Sequence, residues 1–160
     1  MTSRMTGSMT LLERRRIEAG TLERVYAVLC AREGEAAALA SLEAILGAMA
    51  VDAGRAFAAQ APDGPSFAHF ATVVDLWQGT GALDIRNMHA TDTTLTFEVH
   101  RCAYANLYRE MGMPQQLVER LSCNRDGPFA RGYSPHIRFV RTHTVAGGGP
   151  FCDFSFTWEA

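Results

Sequence analysis

Three of the four cysteines, Cys102, Cys123 and Cys152, fall beyond Leu95, in the company of Arg125, Asp126, His136, Arg138, Arg141 and His143. Thiols can attack carbon or hold metal, carboxylates can take protons, imidazoles titrate near neutral pH, and guanidinium groups hold anions. Cys123-Asn124-Arg125-Asp126 puts a thiol, a guanidinium and a carboxylate within four residues, just after a predicted helix and outside regular strand alternation. A free thiol with a pKa of about 8.5 is only a few per cent thiolate at neutral pH, and an adjacent arginine raises that fraction. Cys102 opens a predicted helix, whose amide dipoles favour an anion. Cys123 and Cys102 are therefore candidate nucleophiles, each with a packing role as the alternative. Cys152 alternates with Phe154, Phe156 and Trp158, so it reads first as a small core hydrophobe. Cys30 sits in a stretch of scaffold character.

Metal and phosphate chemistry find less support. Cys102, Cys123 and Cys152 with His136 or His143 have the atom types of a tetrahedral thiolate-imidazole site, but no Cys-x-x-Cys or His-x-x-x-His pair occurs. A divalent metal is thus conceivable and not favoured, and no cofactor motif is present. Gly147-Gly148-Gly149 joins two predicted strands and reads as a turn.

The chain has 160 residues, 48% hydrophobic and 20% charged, with a net charge of -2. That size suits one domain burying about 70% of its unfolded surface. The charge balance excludes a nucleic-acid surface, which needs concentrated cations. Arg14-Arg15-Arg16, beside Glu13 and Glu18, reads as a solvated helix face. No uninterrupted apolar run approaches the roughly 18 residues of a membrane span, and the amino terminus lacks a secretory core. A cytoplasmic protein with reduced thiols and a small-molecule substrate is expected, with a homo-oligomer left open.

The elements that must position these residues follow from periodicity. Residues 1–8 read as a frayed leader. Over 9–78, apolar side chains recur at helical spacing in three segments: Leu12 to Leu29, Leu39 to Phe57 and Phe67 to Trp77. From 82 to 160 the period becomes two. Leu83 and Ile85, then Leu95, Phe97 and Val99, predict a hairpin linked by Ala90-Thr91-Asp92-Thr93. Short helices over Tyr104 to Met111 and Pro114 to Leu121 precede a second hairpin, with strands at Ile137 to Phe139 and Cys152 to Trp158. The expectation is an α+β fold: helices on one face of a four-stranded antiparallel sheet made of two hairpins. Arg138 and Arg141 have opposite parity, which sends Arg141 inward with Ile137 and Phe139, where Asp126 is its candidate partner.

Arg101-Cys102-Ala103-Tyr104, Tyr108-Arg109-Glu110-Met111-Gly112, Leu121 to Asp126, Ser134-Pro135-His136-Ile137, Arg141 to Val145 and Gly149 to Phe154 form ordered blocks. Together they resemble the L-2-amino-thiazoline-4-carboxylic acid hydrolase family. The resemblance implies hydrolytic opening of a small cyclic isothiourea bearing a carboxylate, toward N-carbamoyl-cysteine. Such a reaction needs a cation for the carboxylate, an acceptor for the amidine-like nitrogens, a base for water and a proton donor for the departing sulfur. The catalytic candidates are Cys123, Asp126, Cys102, His136 and His143. Arg125, Arg141, Tyr104 and Cys152 are the candidate substrate-binding residues. Direct attack by Cys123 or Cys102 and attack by water activated at Asp126 both remain open, and a non-catalytic binding or sensor domain is the competing class.

Overall fold

A computed structural model describes residues 8–160. The expected leader, residues 1–8, lies outside that range apart from Ser8. Thr10 starts the first helix with a reciprocal cap: its hydroxyl accepts from Glu13 N at 3.1 Å, and the Glu13 carboxylate accepts from Thr10 N at 2.8 Å. The helix α1 then runs unbroken through Gly20 over Leu11–Glu33. Gly34, at φ 86°, turns the chain into α2, Glu35–Ala58. The third predicted helix is two short ones, α3 (Phe67–Ala71) and α4 (Val73–Gln78), divided at Thr72.

The α2 segment corrects one expectation. It holds a stretch of mean hydropathy 1.6, long and apolar enough to cross a bilayer by length and composition. Alanine, glycine and serine dilute its bulky side chains, so no continuous run marks it. In this fold α2 packs against α1, α6 (Gln115–Ser122) and α7 (Asp126–Tyr133). Only 28% of that stretch is buried, and on α2 Met49, Ala53 and Ala56 face a cavity instead.

Four strands, β1 (Leu83–Ala90), β2 (Thr94–Cys102), β3 (Ile137–Val140) and β4 (Cys152–Trp158), form one antiparallel sheet in the order β1-β2-β4-β3. The α+β architecture, with its two hairpins and amino-terminal helices, is as the periodicity implied. Register pairs Phe97 with Phe154, Leu95 with Phe156 and Phe139 with Phe156. These rings, with Phe70 and Trp77 from the helices, make the aromatic centre of the core. Between β2 and β3 the chain makes three short helices: α5 (Ala103–Glu110), α6 and α7.

The helix α7 occupies a stretch between the Pro114 to Leu121 helix and the Ile137 strand for which periodicity predicts no element. Gly127, Pro128 and Gly132 are weak helix formers, but Gly132, together with Gly54 on α2, serves position. A Cβ on Gly132 would lie 2.7 Å from Val51 Cα, and one on Gly54 would lie 2.8 Å from Tyr133 N. The backbones of α2 and α7 therefore touch, and only glycine allows that approach.

Candidate functional site

A cavity of about 520 Å³ lies between α1, α2, α4, the inner face of the sheet and the α6–α7 turn. Its floor is polar and largely shielded from solvent. Arg141, just past β3, donates to Asp126 Oδ2 at 2.5 Å and to the Cys123 carbonyl at 2.7 Å. Its guanidinium lies 5.2 Å from the Phe139 ring centre and 5.0 Å from that of Phe154. Asp126 and Arg141 are thus the pair that strand parity implied. Asp126 opens α7, where the free amides of the first turn favour a carboxylate.

A second ion-pair group reaches across the molecule. Glu18 on α1 accepts from Arg15 at 2.7 Å and from Arg125 at 3.1 Å, and Arg125 also donates Nε–H to the Leu121 carbonyl. Arg125 is 7% exposed, so it needs these acceptors. Arg14 and Arg16 are exposed, as expected of a solvated face, but Arg15 is half-buried against Glu18, and Arg14, Arg15 and Glu18 line the cavity.

The thiols converge from three elements. Cys102 caps α5, Cys123 ends α6, and Cys152 opens β4; all three are buried and line the cavity, while Cys30 does not. Burial pushes the Cys123 thiol up to about 12, against the pull of Arg141. It also raises Cys102, despite amide donors at the α5 start and the Ser122 hydroxyl 3.9 Å away. Cys152 rises for the same reason and accepts from Val145 N at 3.2 Å. Burial pushes the Asp126 carboxyl up as well, and the Arg141 guanidinium opposes it. Among the described residues no three His, Cys, Asp or Glu side chains converge as a metal-holding group.

Tyr104 lines the same cavity and donates to the Trp77 carbonyl at 2.8 Å. The two histidines stand elsewhere. His136 is exposed, with Nδ1 2.9 Å from the Glu159 carbonyl and its ring stacked 5.4 Å from Trp158; it lines no part of the cavity. His143 lines a second hollow, of about 420 Å³, together with Glu119, Asn124 and Thr144. Its Nδ1 lies 2.9 Å from the Thr142 hydroxyl and 3.4 Å from Asp153, and among the described residues its buried Nε2 has no partner. Cys123 and Arg141 line both hollows and form the partition between them.

Sequence reasoning missed Arg15, Glu18 and Tyr108, and the aromatic walls Phe57, Trp77 and Phe129. Helical spacing marks each as a core or surface position, and nothing local signals a cavity.

The family described as L-2-amino-thiazoline-4-carboxylic acid hydrolase matches residues 14–156. No curated protein matches the chain. Among solved structures, the chain is similar to the phenol-responsive sensory domain of the transcription activator PoxR, crystallised with phenol. The identity is 13% and the TM-score 0.55, over 93% of this chain and 76% of that one. That likeness is one of fold.

Proposed function

The chain belongs to the L-2-amino-thiazoline-4-carboxylic acid hydrolase family, and from that premise we propose that it opens a small cyclic amidine or isothiourea ring by hydrolysis at the Arg141–Asp126 floor. The observation that carries the reading is the pairing of Asp126 with Arg141, whose side chains are only 17% and 10% exposed, inside a cavity also lined by three thiols.

Arg141 is the natural seat for the substrate carboxylate, because two parallel N–H groups match two oxygens. A carboxylate arriving there competes with Asp126 for the same donors. Once displaced, Asp126 keeps its burial and loses its cation, and its affinity for a proton rises. It then serves as the base for water at the carbon between ring sulfur and ring nitrogen. The water oxygen becomes the carbamoyl carbonyl, the carbon–sulfur bond breaks, and the two water protons end on nitrogen and sulfur. The neutral thiols of Cys102 and Cys123 favour this water route over direct thiolate attack. We place the activity in the cytoplasm, where the four free cysteines stay reduced.

Incubation with the aminothiazoline carboxylate should release one new thiol per ring and a carbamoyl product. Asp126→Asn, whose amide oxygen can still accept from Arg141, should abolish this in the protein that remains folded. Normal turnover by that variant would remove Asp126 from the chemistry.

The competing reading is a binding or sensor domain. The neutral thiols, the ion pairs already closed on the cavity floor and the fold likeness to a sensory domain that binds phenol favour it. It predicts saturable binding of the ring without product.

A further inference from the structure

The cavity is too large and too apolar at one end for the aminothiazoline carboxylate alone. At about 30 Å³ per water in the liquid, 520 Å³ corresponds to roughly 17 water-sized groups, whereas that ligand is a single five-membered ring with an amine and a carboxylate. The volume instead falls within the range of roughly 300–1,000 Å³ typical of drug-sized ligands.

The lining is also divided. Four guanidinium groups, of Arg14, Arg15, Arg125 and Arg141, face two carboxylates, of Glu18 and Asp126. That excess of cation selects an anionic head. Away from the floor the walls are Phe57, Trp77 and Phe129, with the Trp77 and Phe129 rings edge-to-face at 5.6 Å. Phe57 and Trp77 are only half-buried, so their surfaces are open to an occupant. The rim carries Met9, Met49 and Leu76, which are 54%, 40% and 49% exposed. Three large apolar side chains gathered at the mouth of one cavity, continuous with aromatic walls and a cationic floor, describe a binding surface for a molecule with two unlike ends.

We propose that the ligand of this site is an amphipathic organic acid: a carboxylate-bearing head on the Arg141–Asp126 floor and an aromatic or branched apolar body against Phe57, Trp77 and Phe129. This rests on the assignment of the cavity as the substrate site and extends it to the class of substrate. The apolar body supplies most of the affinity, since one buried phenyl group contributes about 1.5–3 kcal/mol, or roughly 10- to 150-fold. Met49 and Leu76 close over it.

Three probes test this by calorimetry on the full chain: the unsubstituted aminothiazoline carboxylate, the same ring carrying a phenyl group at the carbon next to sulfur, and 3-phenylpropionate, which has the acid and the phenyl but no ring to open. The phenyl-substituted ring should bind at least tenfold tighter than the parent ring. Met49→Glu and Leu76→Glu, both at exposed positions, should narrow that ratio. Equal affinity of the parent and substituted rings overturns the proposal and leaves the hydrolase reading intact. Tight 3-phenylpropionate binding with neither ring turned over upholds the proposal and removes the hydrolase reading. Binding by none of the three overturns the proposal.

Discussion

Arg141 is held on every side: Asp126 and the Cys123 carbonyl accept its protons, and Phe139 and Phe154 flank its plane. Arg141→Met should cost about 3–5 kcal/mol in urea unfolding, because it strands the buried Asp126 charge. Adding Asp126→Leu should recover most of that loss, since an apolar pair of similar volume replaces a buried ion pair at little cost. No recovery would mean that Arg141 stabilises by packing on the two rings rather than by charge. The thiol beside it allows a second check. With its pKa at about 12, Cys123 should be alkylated by iodoacetamide at a rate that climbs with pH through 10 without levelling, read by mass spectrometry of its peptide. A plateau below pH 9 would indicate a stabilised thiolate and revive the nucleophilic role. At this scale the sequence was informative where chemistry is local. Strand parity pointed Arg141 inward, although the residue lies just past β3, and the need of an inward guanidinium for an acceptor pointed to Asp126. The sequence could not reveal Glu18, which reaches Arg125 from 107 residues away, nor that burial would neutralise the thiols.

The elements hold these residues in register through two devices. One is the contact between α2 and α7. Gly132→Ala should lower stability by about 1–3 kcal/mol through overpacking against the Val51 backbone, despite the better helix propensity of alanine. Because α7 begins at Asp126, ligand affinity should fall with it. Gly20→Ala, with nothing within 4 Å, should be neutral or stabilising by up to about 1 kcal/mol. Matching melting temperatures for the two variants would show that the helices can slide apart without penalty. The other device is Asp153 on β4, which accepts from Thr142 N, the Thr142 hydroxyl and His143 N at 2.6–3.0 Å. Burial alone would raise its carboxyl, but these donors win and hold it at about 2. A lowered pKa stabilises the fold fully above the ordinary value of about 3.9, and that contribution is lost as pH falls through 2. Asp153→Asn should flatten the dependence of the urea midpoint on pH between about 4 and 2; an unchanged slope would show that the donors do not hold the carboxylate. The hairpins were legible because alternating apolar residues and turn chemistry agree over 83–102 and 137–158. Helix α7 was not, because its glycines and proline argue locally against helix, while the fold requires one of them, Gly132, for close approach to α2.

Across the whole molecule the sheet order β1-β2-β4-β3 puts the strand latest in sequence between two earlier ones. Periodicity shows four strands and two hairpins, but it carries no signal that β2 and β4 are neighbours, a pairing made through Phe97–Phe154 and Leu95–Phe156. A chain stopped after residue 150 removes the partner of both β2 and β3. It should show no cooperative unfolding transition and no near-ultraviolet signal from the stacked rings; a native-like spectrum would mean that the helices alone order the core. The same topology governs how the protein is made. During translation the helical half and β1–β2 emerge first, yet β3 has no strand to join and one edge of β2 lies unpaired. Cys102, Cys123 and Arg141 are already synthesised, but the wall that closes around them arrives only with Cys152 and Phe154. Until then the nascent chain exposes its aromatic faces and an apolar α2 together, the condition that recruits chaperones. Passage of β4 out of the ribosome is the moment at which a reactive set of side chains becomes a pocket.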